Sequence, residues 1–137
     1  MANLHNYHGR YCEAEFESTF LSYLEEAGWS YLAGSSLPRD SMRDVLYTDD
    51  MEFFLNRTNP DLTADEIQQI MDTVRLAGSE SDFATLHKVY DWMVNGIQFT
   101  PQAALPRMVN LIEFEDPEKN VFRAVNQFTV EYTNNGQ

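Results

Sequence analysis

Residues 121–132 alternate between two faces along their whole length: Val121-Phe122-Arg123-Ala124-Val125-Asn126-Gln127-Phe128-Thr129-Val130-Glu131-Tyr132. Because successive side chains of a strand point to opposite faces, this alternation predicts a β-strand. A second extended run, from Met108 to Phe114, precedes it, and the turn-forming residues 116–120 lie between the two. The sequence therefore predicts a β-hairpin near the C-terminus.

The earlier part of the chain has helical patterns. Apolar residues recur at helical spacing over Glu13–Ala27, about Met42–Asn56, Thr63–Gly78, and from near Ser79 or Ser81 to Gly96. In the first of these, the predicted apolar face consists of Phe16, Phe20, Leu21 and Leu24. The third begins with Thr63-Ala64-Asp65-Glu66, which fits a capping box. These patterns predict an α+β fold in which several helices pack on a small, mainly antiparallel sheet, as one domain over residues 1–137.

The charge balance excludes several classes of partner. The chain has 9 Lys and Arg against 22 Asp and Glu, a net charge of −13. Proteins that hold nucleic acid or an anionic membrane on their own surface use clustered basic residues, and none are clustered here. No apolar run is long enough to span a bilayer, and the N-terminus lacks the apolar stretch of a signal peptide. With a single cysteine, the sequence predicts a cytoplasmic protein with no membrane partner.

Two groups of residues could suggest metal chemistry, and both have a simpler interpretation. His5, His8 and Cys12 have a spacing compatible with metal ligands, but no second Cys or His pair completes a zinc site. Asp61 and Glu66 superficially resemble a metal-dependent nuclease signature. However, Asp61 follows a proline in a loop, and the capping box requires the Glu66 carboxylate. We therefore predict no metal-binding and no cofactor-binding residue from these patterns.

Several motifs, taken in order, are more specific than the composition. Together they resemble the N-terminal region of the R (restriction and motor) subunit of type I restriction enzymes. The motifs are Glu13-Ala14-Glu15-Phe16-Glu17 with Gly28-Trp29, Arg57-Thr58-Asn59-Pro60-Asp61-Leu62-Thr63, Asn95-Gly96-Ile97, Asn110-Leu111-Ile112-Glu113-Phe114-Glu115-Asp116-Pro117-Glu118-Lys119-Asn120, and Val125-Asn126-Gln127-Phe128-Thr129-Val130. The resemblance spans nearly the whole chain.

The resemblance implies a large parent protein. R subunits carry an N-terminal nuclease domain of the PD-(D/E)xK type followed by an ATP-driven translocase. With Mg²⁺, ATP and the modification and specificity subunits, such a protein cleaves unmodified foreign DNA. The strands that carry the catalytic Asp and Glu-x-Lys follow the V-N-Q-F-T-V motif. The resemblance therefore implies that residues 1–137 are the incomplete N-terminal part of that nuclease domain and are inactive alone.

The resemblance also implies one site residue. In this nuclease class the opening helix often contributes a Glu near the metal, and Glu17 matches that position best. A carboxylate there would supply a hard oxygen ligand to Mg²⁺ or orient its water. The alternative interpretation of Glu17 is an ordinary charge on a solvated helix face.

A second class of function is open at this point. A net charge of −13 also suits a small acidic protein-binding module, such as a DNA mimic or an adaptor. In either case the alternating strand would present an exposed edge, and such edges favour self-association.

Overall fold

The computed structural model describes residues 12–79 and 81–131. Helices and strands mix along the chain, which confirms the predicted α+β class. The elements are α1 (Glu13–Glu26), β1 (Ser30–Ala33), α2 (Thr48–Thr58), α3 (Ala64–Arg75), α4 (Asp82–Asn95), β2 (Ile97–Phe99), β3 (Arg107–Val109) and β4 (Arg123–Asn126). The chain forms two compact units, whose described residues are 12–44 with 122–131 in unit 1, and 45–79 with 81–121 in unit 2.

In unit 1, α1 ends as the sequence predicts. Gly28 has a φ of +93°, a conformation that glycine adopts without the steric cost of a Cβ. The Trp29 N–H donates to the Leu24 carbonyl at 2.9 Å, which closes the last turn of the helix. The apolar face differs from the prediction, because Phe16 and Phe20 are 68% and 55% exposed. Leu21 and Leu24 are the partly covered apolar positions of the predicted face.

The strands of unit 1 form a parallel pair. Ser30 lies opposite Arg123 and Ala33 lies opposite Asn126. The Tyr31 hydroxyl donates to Asn126 Oδ1 at 2.8 Å, which adds a side-chain bond to the ladder. Directly after β1, a Cβ on Gly34 would lie 2.5 Å from the carbonyl oxygens of Asn126 and Gln127. Only glycine allows the backbone after β1 to approach the end of β4 this closely.

The predicted hairpin between residues 108–114 and 121–132 is wrong. β4 pairs with β1, whereas β3 pairs antiparallel with β2, with Ile97 opposite Val109. The segment between β3 and β4 forms its own hydrogen bonds. Asn120 Oδ1 accepts from the Glu113 N–H at 2.8 Å, and its Nδ2 donates to the Glu113 carbonyl at 2.7 Å. β4 ends at Asn126 because Gln127 has a φ of +51°, which interrupts the alternation. The predicted turn at 133–137 and Tyr132 lie outside the described residues.

Unit 2 has a continuous apolar core. Its fully buried side chains are those of Leu55, Ile67, Ile70 and Val109. They come from α2, α3 and β3, so this core joins the helices to the antiparallel strand pair. α2 begins at Thr48 instead of Met42. The Asp44 N–H donates to the Ser41 carbonyl at 3.1 Å, so residues 41–44 form a turn before the helix.

The N-terminal caps of the other two helices in unit 2 lie where the sequence predicts them, but α3 ends at Arg75 instead of Gly78, because the chain continues as a 3₁₀ helix over Leu76–Ser79. In the capping box of α3, Thr63 Oγ1 accepts from the Glu66 N–H at 3.3 Å. Glu66 Oε2 accepts from the Thr63 N–H at 2.9 Å. α4 begins after Ser81 and ends at Gly96, which has a φ of +85°. No helix within residues 12–79 and 81–131 has the length and apolarity that crossing a membrane requires.

α4 presents an apolar stripe to solvent. Phe83, Leu86 and Tyr90 are 80%, 70% and 67% exposed. These positions recur at helical spacing, so they lie along one face of the helix. Exposed apolar patches can mark protein or membrane contact sites, ligand-binding grooves or aggregation-prone surfaces.

We expect the Leu55→Ala substitution to lower the free energy of unfolding by about 2–5 kcal/mol, because it leaves a cavity at a fully buried position. Phe53, two positions away in α2, is 59% exposed and provides a matched control. Phe53→Ala should cost less than about 1 kcal/mol. Denaturant titration of both variants measures the difference. Equal losses would contradict the assigned core.

Candidate functional site

Glu17 lies on the covered side of α1. Its side chain is half-buried, and it precedes Leu21 by four positions and Leu24 by seven. These spacings place the three side chains on one stripe of the helix. Within unit 1, α1 contacts both β1 and β4. Glu17 therefore shares a stripe of α1 with the two partly covered leucines.

The Glu17 carboxylate is bonded to the residue that follows β4. Gln127 Nε2 donates to Glu17 Oε1 at 3.1 Å and to Glu17 Oε2 at 3.3 Å. Glu17 belongs to the opening motif of the sequence, and Gln127 belongs to the motif Val125–Val130. The fold of unit 1 thus brings two motifs together that lie at opposite ends of the chain.

The Arg39 side chain anchors the segment that follows Gln127. Arg39 Nη2 donates to the Thr129 carbonyl at 2.8 Å, and the guanidinium lies 4.2 Å from the centre of the Phe128 ring. Arg39 Nη1 also donates to the Asp44 carbonyl at 3.0 Å. These contacts border a half-enclosed cavity of about 270 Å³ in unit 1. Its lining residues are Gly34, Ser35, Leu37, Arg39, Met42, Gln127 and Thr129.

The two acids of the nuclease-like signature both have structural partners. The capping-box role of Glu66 follows the sequence prediction, whereas the partner of Asp61 comes from the structure. Arg107 donates to Asp61 Oδ2 at 2.8 Å and to Oδ1 at 3.2 Å, and this bond lowers the pKa of Asp61. In addition to the Thr63 N–H, Glu66 accepts the Gln102 N–H at 2.9 Å on Oε1. Both backbone donors lower the pKa of Glu66. Asp61 and Glu66 thus stabilise the loops at the start of α3.

The described part of the chain contains no group of three or more His, Cys, Asp or Glu side chains arranged to hold a metal ion. Of the predicted alternatives, Cys12 is exposed, and His5 and His8 lie outside the described residues. Glu17 contributes one carboxylate with two N–H···O contacts. A carboxylate offers about four lone-pair positions, so it retains acceptor capacity for a cation or its water.

Comparison with known proteins identifies the family. The described residues have an α+β architecture. Residues 10–137 match the family model described as type I restriction enzyme R protein N terminus. The chain belongs to this family.

One relative is a Methanocaldococcus jannaschii protein with the provisional name type I restriction enzyme MjaIXP endonuclease subunit. It is 31% identical over 125 residues, which cover 85% of this chain and 12% of the relative. The chain thus spans about an eighth of that protein's length. No solved structure matches the chain.

No sequence pattern marks Gln127 as a site residue. Its motif belongs to the resemblance, and the alternating pattern predicts a strand through this position. The contact with Glu17 depends on pairing between β1 and β4, which are distant in sequence, and on the positive φ of Gln127. Neither feature can be read from the local pattern.

We expect Glu66→Gln to destabilise the chain at neutral pH, because a neutral amide oxygen cannot accept both backbone N–H groups as the carboxylate does. The folded-state pKa of Glu66 lies below its ordinary value of 4.5. Its stabilisation is therefore fully present above pH 4.5 and is lost as the pH falls through the folded-state pKa.

Thermal unfolding from pH 7 to pH 2 tests this prediction. The unfolding midpoints of wild type and Glu66→Gln should differ at pH 7 and converge in acid. Asp65→Asn is the matched control, because Asp65 is exposed in the same helical turn. A constant difference between wild type and Glu66→Gln over the whole pH range would contradict the assigned role.

Proposed function

We propose that this chain is the N-terminal part of the nuclease domain of an R subunit that cleaves unmodified foreign DNA. The full-length protein would translocate DNA with ATP and assemble with modification and specificity subunits. The observation that carries the proposal is the position of Glu17. The Glu17 side chain is half-buried on the same stripe of the opening helix as Leu21 and Leu24, and a metal-proximal acid is expected on the opening helix in this nuclease class.

In this proposal Glu17 supplies one oxygen to the environment of a Mg²⁺ ion. Mg²⁺ takes only one or two protein carboxylates and retains several waters, so a single Glu can act as a ligand or orient a metal-bound water. The ion itself would neutralise charge at the phosphate that is cleaved. The carboxylates and lysine of the Asp and Glu-x-Lys motifs would come from chain that follows residue 137.

Residues 1–137 alone would then be inactive. In the described residues Glu17 is bonded to an amide, whereas hydrolysis in this class requires carboxylates that converge on the metal. Purified chain 1–137 should therefore not nick supercoiled plasmid in Mg²⁺. Nicking that Glu17→Gln abolishes would contradict this expectation.

The surface of the chain is consistent with a lobe inside a larger subunit. The net charge of −13 disfavours direct binding of DNA to the surface of this chain. The exposed apolar stripe of α4 (Phe83, Leu86 and Tyr90) suits packing against other parts of that subunit. Cytoplasmic localisation and self-association through a strand edge stay predictions.

We expect Glu17→Gln in the full-length R subunit to reduce DNA cleavage about 10–100-fold, because it removes a charged oxygen next to the metal. ATP hydrolysis should be unchanged, since the motor is a separate domain. Cleavage of unmodified plasmid by the subunit reconstituted with its modification and specificity subunits measures the first effect, and phosphate release measures the second.

Glu25→Gln serves as the matched control, because Glu25 is an exposed acid on the same helix. It should leave both activities unchanged. Cleavage by Glu17→Gln at the wild-type rate would overturn the proposed role of Glu17.

A further inference from the structure

Gln127 has an unusual backbone conformation. Among the described residues it is the non-glycine residue with a positive φ, at +51°. Side chains with a Cβ adopt this region at a steric cost, which glycine avoids and asparagine reduces. Residues in such conformations persist where the surrounding structure holds them, often at functional sites. The presence of a long amide side chain at this position therefore requires an explanation.

The surrounding contacts hold the backbone of Gln127 on both sides. Before it, Asn126 accepts the Tyr31 hydroxyl at 2.8 Å. After it, Arg39 stacks on Phe128 at 4.2 Å and donates to the Thr129 carbonyl at 2.8 Å. The missing side chain of Gly34 makes room for the carbonyl of Gln127 itself. The amide therefore projects from an anchored turn.

The chemistry of the amide suits an orienting role. Gln127 Nε2 contacts both oxygens of Glu17, at 3.1 and 3.3 Å, so it restricts rotation of the carboxylate plane. Unlike Arg or Lys, glutamine is neutral and leaves the negative charge of the carboxylate uncompensated. A carboxylate that is oriented but not neutralised can still attract a divalent cation.

We infer that Gln127 is a positioning residue, which orients the Glu17 carboxylate toward the metal environment of the nuclease domain. This inference rests on the proposed function of Glu17. Gln127 itself does not touch the metal or the DNA in this assignment. It acts through Glu17, and Gly34 and Arg39 hold the turn that carries it.

The Gln127→Gly substitution removes the side-chain amide of this residue but permits the same backbone conformation, so it tests the two contributions separately. Glycine adopts a φ of +51° readily, so the substitution should not lower the unfolding midpoint of the chain. It removes the amide, and the Mg²⁺ concentration for half-maximal cleavage by the reconstituted full-length subunit should rise about 10–100-fold. ATP hydrolysis should be unchanged. Gln127→Asn also tolerates this backbone, but its amide is one methylene shorter, so it should show the same shift in Mg²⁺ dependence.

Ser22→Ala is the control for a purely structural effect. It removes the hydrogen bond from the Ser22 hydroxyl to the Ser18 carbonyl within α1, a bond that involves neither Glu17 nor the turn at Gln127. Its Mg²⁺ dependence should equal that of the wild type. Cleavage at excess Mg²⁺ should recover in Gln127→Gly but not in Glu17→Gln, since only the latter lacks the carboxylate.

The outcomes distinguish this inference from the proposed function. If Glu17→Gln reduces cleavage as expected while Gln127→Gly keeps the wild-type Mg²⁺ dependence, the positioning role is overturned and the proposed function stands. A lowered unfolding midpoint in Gln127→Gly, with no change in Mg²⁺ dependence, would assign Gln127 a structural role and also overturn the inference. If neither variant affects cleavage, the proposed function of Glu17 is overturned together with the inference.

Discussion

The parallel pairing of β1 with β4 is the constraint on which the candidate site depends. Parallel strands require a crossover connection, and here all of unit 2 lies in sequence between the two strands. α1 leads directly into β1, so the register that sets Ala33 opposite Asn126 also fixes where the residue after β4 lies relative to α1. This register brings Gln127 to Glu17. A shift of one residue would turn the strand's side chains to the other face and separate the pair.

The three acids that attract attention as possible nuclease residues differ in what holds them. Asp61 is bonded to the Arg107 guanidinium, and Glu66 accepts two backbone N–H groups. Both carboxylates satisfy donors that unit 2 needs for its own loops, so they stabilise the fold. The contacts of Glu17 come from a neutral side-chain amide, and removing them would leave the helix and the strand ladder intact. This difference in partners, more than the sequence pattern, separates Glu17 from the other two acids.

Local signals predicted much of the helical structure and little of the strand pairing. The Thr63 and Glu66 capping box and the glycine after α1 act within a few residues, so a short window contains their physical cause. The alternation of 121–132 correctly indicated extended chain at β4 but could not identify its partner, because pairing with β1 is long-range. Glu17 came from the family resemblance, and the structure added its place on the covered stripe. Gln127 required the structure, since its positive φ has no local signature.

The central claim is that Gln127 contacts Glu17 across unit 1, and NMR of isotopically labelled chain tests it most directly. The account predicts a nuclear Overhauser cross-peak between the Gln127 side-chain amide protons and the Glu17 Hγ protons. It also predicts cross-strand peaks between Leu32 and Val125, which are register partners. Cross-strand peaks without any cross-peak from the Gln127 amide to α1 would contradict the claim, because the fold would be present and the contact would not.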